Sequence, residues 1–168
     1  MRSRHTPLGA LGRGLAAGVL ATAAMTAYQE FVGKLHSGGE AESSQDEQQD
    51  PWESAPAPAV VAKRLIEGLF QRKVDPERIP LLTQTMHWGY GTLWGGLYGL
   101  IQETADAPAA AVGPAVGLTA WALSYAQLVP MGIYEPPWSY PASMLALDAS
   151  YHLVYGSGLA VGHALLDR

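Results

Sequence analysis

The chain has no cysteine among its 168 residues, which excludes disulfides, thiol nucleophiles and cysteine-held zinc or iron–sulfur clusters. It has no asparagine either, so no N-glycosylation acceptor exists. Nucleophile elbow, Walker loop, dinucleotide fingerprint and zinc-protease signature are all missing, and the residues give no support to an enzyme or a cofactor. Charge is sparse, at 15% of residues with a net of −5, and nucleic acid is not an expected partner.

What is present is segregation. The mean hydropathy is close to zero, as for a soluble protein, but apolar residues gather in four stretches with most charges between them. A bilayer core about 30 Å thick needs about 20 mostly apolar residues per helix. Between Arg13 and Lys34 the one charge is Glu30, which places a first span at residues 14–32. No formal charge occurs from Ile79 to Gln102 or from Ala107 to Tyr134, giving a second and a third span. From Ala149 to Leu166 the ionisable side chains besides tyrosine are His152 and His163, and residues 144–148 extend that run to a fourth.

The expected fold is all-α: a four-helix transmembrane bundle of two related hairpins plus one amphipathic interfacial helix. Its expected partner is the lipid bilayer. Two other readings stay open. A soluble helical bundle is one, because the first span is rich in Ala and Gly. A cleaved signal peptide is the other, with Arg2, Arg4 and Arg13 as its basic region and Ala21-Thr22-Ala23 as its cleavage site.

Four units follow along the chain. Residues 1–35 form an amino-terminal arm and the first span. Residues 36–58 carry six acidic residues and no Lys or Arg, and read as a disordered acidic linker. Residues 59–78 read as an amphipathic helix with Val61, Leu65, Ile66, Leu69 and Phe70 at three- and four-residue spacing, either in the headgroup region or capping the bundle. Residues 79–168 hold three further spans and a Pro/Trp loop at 130–142. Trp138, Tyr134 and Tyr140 are the aromatic content of a membrane interface, and hairpin topology puts Pro51-Trp52 on the same side. Arg2, Arg4 and Arg13 favour a cytoplasmic amino terminus, whereas Arg72, Lys73 and Arg78 oppose it.

Each span carries Gly-x-x-x-Gly: Gly14 and Gly18; Gly91, Gly95 and Gly99; Gly113 and Gly117; Gly158 and Gly162. Lipid supplies little hydrophobic drive between helices, so close backbone approach over small residues supplies the packing. Internal packing is the expected use. A homodimer through the three-glycine stripe of the second span is the alternative.

The chemistry concentrates in a repeated signature, His-x-x-Tyr-Gly-[Ser/Thr], starting at His87 and again at His152. In an antiparallel bundle Glu30, His87, Gln127, Asp148 and His152 share one membrane face. Asp148, His152 and Tyr155 form one helical stripe, and Thr83, His87, Tyr90 and Trp94 the equivalent one. Three readings of this cluster follow. Its members satisfy one another and fix helix register, or they form a proton, ion or small-solute pathway through His87, Asp148 and His152. The third is a haem or metal site on His87 and His152, although two histidines do not specify a metal. His163 is expected at the opposite interface. Gly89-Tyr90-Gly91 lies inside a span with no preceding strand, which argues against phosphate binding.

The order of features resembles the YagU-like family of bacterial inner-membrane proteins. It runs from a Gly-rich first span through a polar loop with Pro-Trp to a His-containing second span. Val129-Pro130-Met131-Gly132, Pro136-Pro137-Trp138 and a His-containing last span follow. That resemblance implies a multi-pass protein of the bacterial inner (plasma) membrane and no defined reaction.

Overall fold

A computed structural model describes residues 6–36, 50–105 and 107–167. Within them the chain is all-helical: α1 (Pro7–His36), α2 (Ala57–Phe70), α3 (Ile79–Thr104), α4 (Ala109–Leu128) and α5 (Ala142–Leu166), with short 3-10 turns at Pro76–Arg78 and Pro137–Ser139. The expected acidic linker falls mostly on 37–49, outside the described residues.

The first span is longer than 14–32 because Arg13 is a good helix former and does not stop a helix. The Thr6 hydroxyl accepts from the Gly9 amide at 3.2 Å, and the 30 residues run on to His36. The amphipathic helix is shorter than 59–78. Gln71 adopts the left-handed conformation (φ 54°) and closes the last turn onto the Glu67 carbonyl. Asp75 then starts a new turn by accepting from the Glu77 amide at 3.0 Å.

Two helices, α1 and α4, are long and apolar enough to cross a membrane. The other two long helices, α3 with 26 residues and α5 with 25, have the length. Their composition is diluted by His, Tyr, Trp, Ser and Gly.

The four long helices form two hairpins, α1/α3 and α4/α5, joined along α1 and α5, while α3 and α4 touch only lightly. Glycine sets each hairpin interface. A Cβ on Gly18 would lie 2.9 Å from the Gly91 carbonyl oxygen and 2.9 Å from Gly95 Cα, and one on Gly99 would lie 2.8 Å from Gly14 Cα. In the second hairpin a Cβ on Gly117 would lie 3.0 Å from Gly156 Cα, and one on Gly156 2.8 Å from Pro114 Cα.

α5 uses its glycines differently from the simplest expectation. Gly158 and Gly162 face Ala21 and Ala17 of α1 and join the hairpins, whereas Gly156 serves the hairpin itself. The three-glycine stripe of α3, the expected alternative for a homodimer, is covered by α1 of the same chain. Because α1 packs against both α3 and α5, removing it as a cleaved segment would take away both interfaces.

α2 packs against the start of α3. Lys63 lies over the Trp52 ring, 4.7 Å from its centre, and the Arg64 guanidinium donates to the Met131 carbonyl. These contacts bring both Pro-Trp segments to one end of the bundle, as the hairpin topology requires.

Candidate functional site

Where the four long helices meet, a cavity of about 70 Å³ is lined by Thr22, His87, Tyr90, Trp94, His152 and Tyr155, with Met25, Gly91 and Ala120 completing its wall. Both copies of the His-x-x-Tyr-Gly signature therefore open onto one space. Helical phase explains this: a residue and its neighbours at +3 and +4 share a face, and each hairpin turns that face toward the other.

The Thr26 hydroxyl donates to the Thr22 carbonyl at 2.9 Å and lies 3.1 Å from His87 Nε2. Its one hydrogen is thus used, and His87 Nε2 is the donor in that contact. His152 Nδ1 lies 3.0 Å from the Asp148 carbonyl oxygen, which can only accept, so Nδ1 carries the proton there. An imidazole in its neutral form keeps its other nitrogen as a lone-pair acceptor. Tyr155 Oη donates to the Gly91 carbonyl. The tyrosine of one signature copy is thereby bonded to the glycine of the other. Tyr90 sits at the rim, exposed, and meets Trp94 edge-on at 6.2 Å.

Asp148 is only partly a histidine partner. Its Oδ1 is 3.8 Å from His152 Nδ1, while Oδ2 accepts from Trp121 Nε1 at 2.9 Å and from Tyr125 Oη at 3.1 Å. Tyr125 in turn packs against Tyr134 at 5.4 Å and Tyr140 at 6.1 Å. Tyr134, in the α4–α5 loop, has its hydroxyl pKa raised, first by burial and then by the Asp148 carboxylate and Tyr140.

Glu30 and Gln127 do not join this cluster. Both are exposed, because each lies on the outward side of its helix at the shared level. Sharing a membrane face fixes depth and leaves angular position open. Trp121, Tyr125, Thr22 and Thr26 were missed by sequence reasoning. Their signal was present as two four-residue spacings, Trp121/Tyr125 and Thr22/Thr26.

A second polar group lies at the opposite end of the bundle. His163, expected at the interface, is instead buried and meets the fully buried Tyr98 ring edge-on at 5.6 Å. Among the described residues Tyr98 Oη has no hydrogen-bond partner. Gln102, also buried, donates through Nε2 to the Ala107 carbonyl at 3.1 Å.

Among the described residues no three His, Asp or Glu side chains converge as metal ligands do. The central cavity, about 70 Å³, is far below the roughly 300–1,000 Å³ of ligand pockets and does not fit a haem macrocycle between His87 and His152. It has room for about two water molecules at about 30 Å³ each. Comparison with known proteins gave no match: no family model, no curated protein and no solved structure.

Proposed function

We propose that this chain is a four-span, non-enzymatic integral protein of a bacterial inner membrane, of the YagU-like kind, whose two His-x-x-Tyr-Gly copies lock its hairpins in register. What supports four spans is where side chains of different size lie. The seams between helices are built on Ala10, Ala17, Ala21, Ala120 and the interhelical glycines, around a core of Met25, Tyr98, Val116, Tyr155 and Leu159, whereas Leu20, Leu93, Leu97, Leu118, Leu153 and Val161 face outward from the four long helices. A soluble bundle of this length buries its leucines. In lipid the large apolar residues face outward and small ones let the backbones meet. α3 and α5 largely follow the same rule: His87, Tyr90, His152 and Tyr155 line the cavity while Leu93, Leu97, Leu100, Leu153 and Leu165 are exposed, Leu159 being the buried leucine of α5.

The lock is supported by the Tyr155-to-Gly91 hydrogen bond, with Thr26–His87 and the Asp148 contacts beside it. Polar side chains in a membrane interior find partners on neighbouring helices and fix their arrangement.

The chain's lack of cysteine makes the test direct. Single cysteines in place of Trp52, Ala105 and Trp138 are labelled with an impermeant thiol reagent in oriented membrane vesicles. The expected result is 52 and 138 reactive from one side and 105 from the other, in protein that resists carbonate extraction. Labelling of all three from one side, or release by carbonate, overturns the four-span reading.

A second reading, proton or small-solute movement, is favoured by one observation: a water-sized cavity lined by two imidazoles, each retaining an acceptor nitrogen. The two readings separate on His87→Ala and Asp148→Asn. A lock loses folded protein in both variants. A pathway keeps the fold in both and loses proton flux in proteoliposomes.

A further inference from the structure

A cleft of about 480 Å³ lies between the end of α2 and the start of α3, away from the His cluster. Its apolar walls are Ile66 and Phe70 of α2, Val74 of the connecting segment and Leu82 of α3. Arg72, Lys73 and Arg78 line it as well, three of only ten Lys and Arg in a chain of net charge −5. The acid among the lining residues, Asp75, already accepts from the Glu77 amide at 3.0 Å, and Glu67 Oε1 accepts from the Val74 amide at 3.2 Å. All three cations are exposed. The apolar surface beside them is exposed too: Leu69 is 74% exposed, Phe70 67% and Leu81 62%.

Depth joins these observations. Arg78 immediately precedes α3, and Leu82 sits one turn inside it. If α3 spans the membrane, the cations lie at the level of lipid phosphates and Leu81, Leu82 and Phe70 at the level of the first acyl carbons. Basic residues at that level attract anionic headgroups, and an apolar wall behind them takes a chain. A free inorganic anion would use the three cations and leave the apolar surface uncovered.

We infer that this cleft is a binding site for an anionic phospholipid, its phosphate held by Arg72, Lys73 and Arg78 and its acyl chain laid along Phe70 and Leu82. The inference rests on the four-span reading, because the cleft meets lipid only if α3 enters the membrane beside it.

The test uses the full chain in a neutral detergent, incubated with equal amounts of phosphatidylglycerol and phosphatidylcholine and read by native mass spectrometry. Wild-type protein is expected to retain phosphatidylglycerol in preference. The triple variant Arg72→Gln/Lys73→Gln/Arg78→Gln is expected to lose that preference, with affinity down on the order of a hundredfold. Lys34→Gln, a control outside the cleft, is expected to keep it. Thermal melts check that the triple variant folds. Should it not fold, Lys73→Gln alone must weaken retention by several-fold. Equal retention of both lipids by wild type, or undiminished preference in the folded variant, overturns the site. Displacement of the lipid by millimolar inorganic phosphate overturns the lipid assignment. Carbonate extraction is run in parallel: release overturns both readings, whereas resistance without phosphatidylglycerol preference defeats the cleft alone.

Discussion

Tyr155 and Tyr98 occupy the same bundle and have opposite hydrogen-bond fates, which gives opposite expectations for the same substitution. Tyr155→Phe removes the donor to the Gly91 carbonyl and is expected to lower stability by about 1 kcal/mol, the size typical of interhelical hydrogen bonds in membranes. Tyr98→Phe removes a hydroxyl that is buried without a partner among the described residues and is expected to raise stability by about 1 kcal/mol or more, since its desolvation is not compensated. Denaturation of the two purified variants in detergent checks both signs. A loss at Tyr98 equal to that at Tyr155 would mean its hydroxyl is satisfied after all. Tyr134 gives a pH expectation. Its pKa is raised in the folded state, so the unfolded chain ionises first as pH climbs past about 10. The stability it contributes is present below that point and is lost as pH rises toward the folded value. Tyrosinate absorbance should therefore lose one late-titrating component in Tyr134→Phe.

At the scale of helices, the glycines divide into those that hold another backbone and those that hold nothing. A Cβ on Gly95 would lie 2.5 Å from the Gly14 carbonyl oxygen and 2.7 Å from the Gly18 amide nitrogen, whereas one on Gly89 meets nothing within 4 Å. Gly95→Ala is expected to cost about 1–3 kcal/mol by forcing α1 and α3 apart. Gly89→Ala, in the same helix, should be neutral or stabilising by up to about 1 kcal/mol through helix propensity. Thermal melts of the pair provide the check, and equal effects would contradict the α1/α3 seam. The element scale is also where the sequence was most legible. Charge-poor runs located all four long helices, small-residue spacing marked their contact faces, and the repeated signature pointed to its cavity. What could not be read was which neighbour each face meets. Gly156 proved to serve the α4/α5 seam while Gly158 and Gly162 face α1, a difference of two residues and about 200° of rotation. Asp148 was expected to pair with His152 at one turn's spacing. Oδ1 does lie 3.8 Å from His152, but Trp121 and Tyr125 hydrogen-bond Oδ2, and a donor on a facing helix is invisible to spacing along α5. The ends of α1 and α2 were misplaced for a local reason: charge marks the edge of a span, and helix geometry ends where backbone dihedrals change, as at Gln71.

Over the whole molecule, α1 is the element on which both α3 and α5 converge, and α4 reaches the rest chiefly through α5. The order of contact predicts unequal consequences for deletion. Removing residues 7–36 should leave no protease-resistant bundle, because α3 and α5 touch each other only slightly. Limited proteolysis of the truncated protein in detergent tests this, and a surviving α3–α5 core would contradict the hub role of α1.

The bond joining the two signature copies ends on a main-chain oxygen. Side-chain pairs that touch constrain each other, so a change at one position invites a matching change at the other. Tyr155 has no such correspondent: every residue at position 91 brings the same carbonyl, and position 91 is restricted by Thr22 of α1 instead. Among related sequences the two sites would therefore vary without reference to one another. A contact map inferred from correlated substitutions would show the α1/α5 seam and leave blank the bond that ties one signature copy to the other.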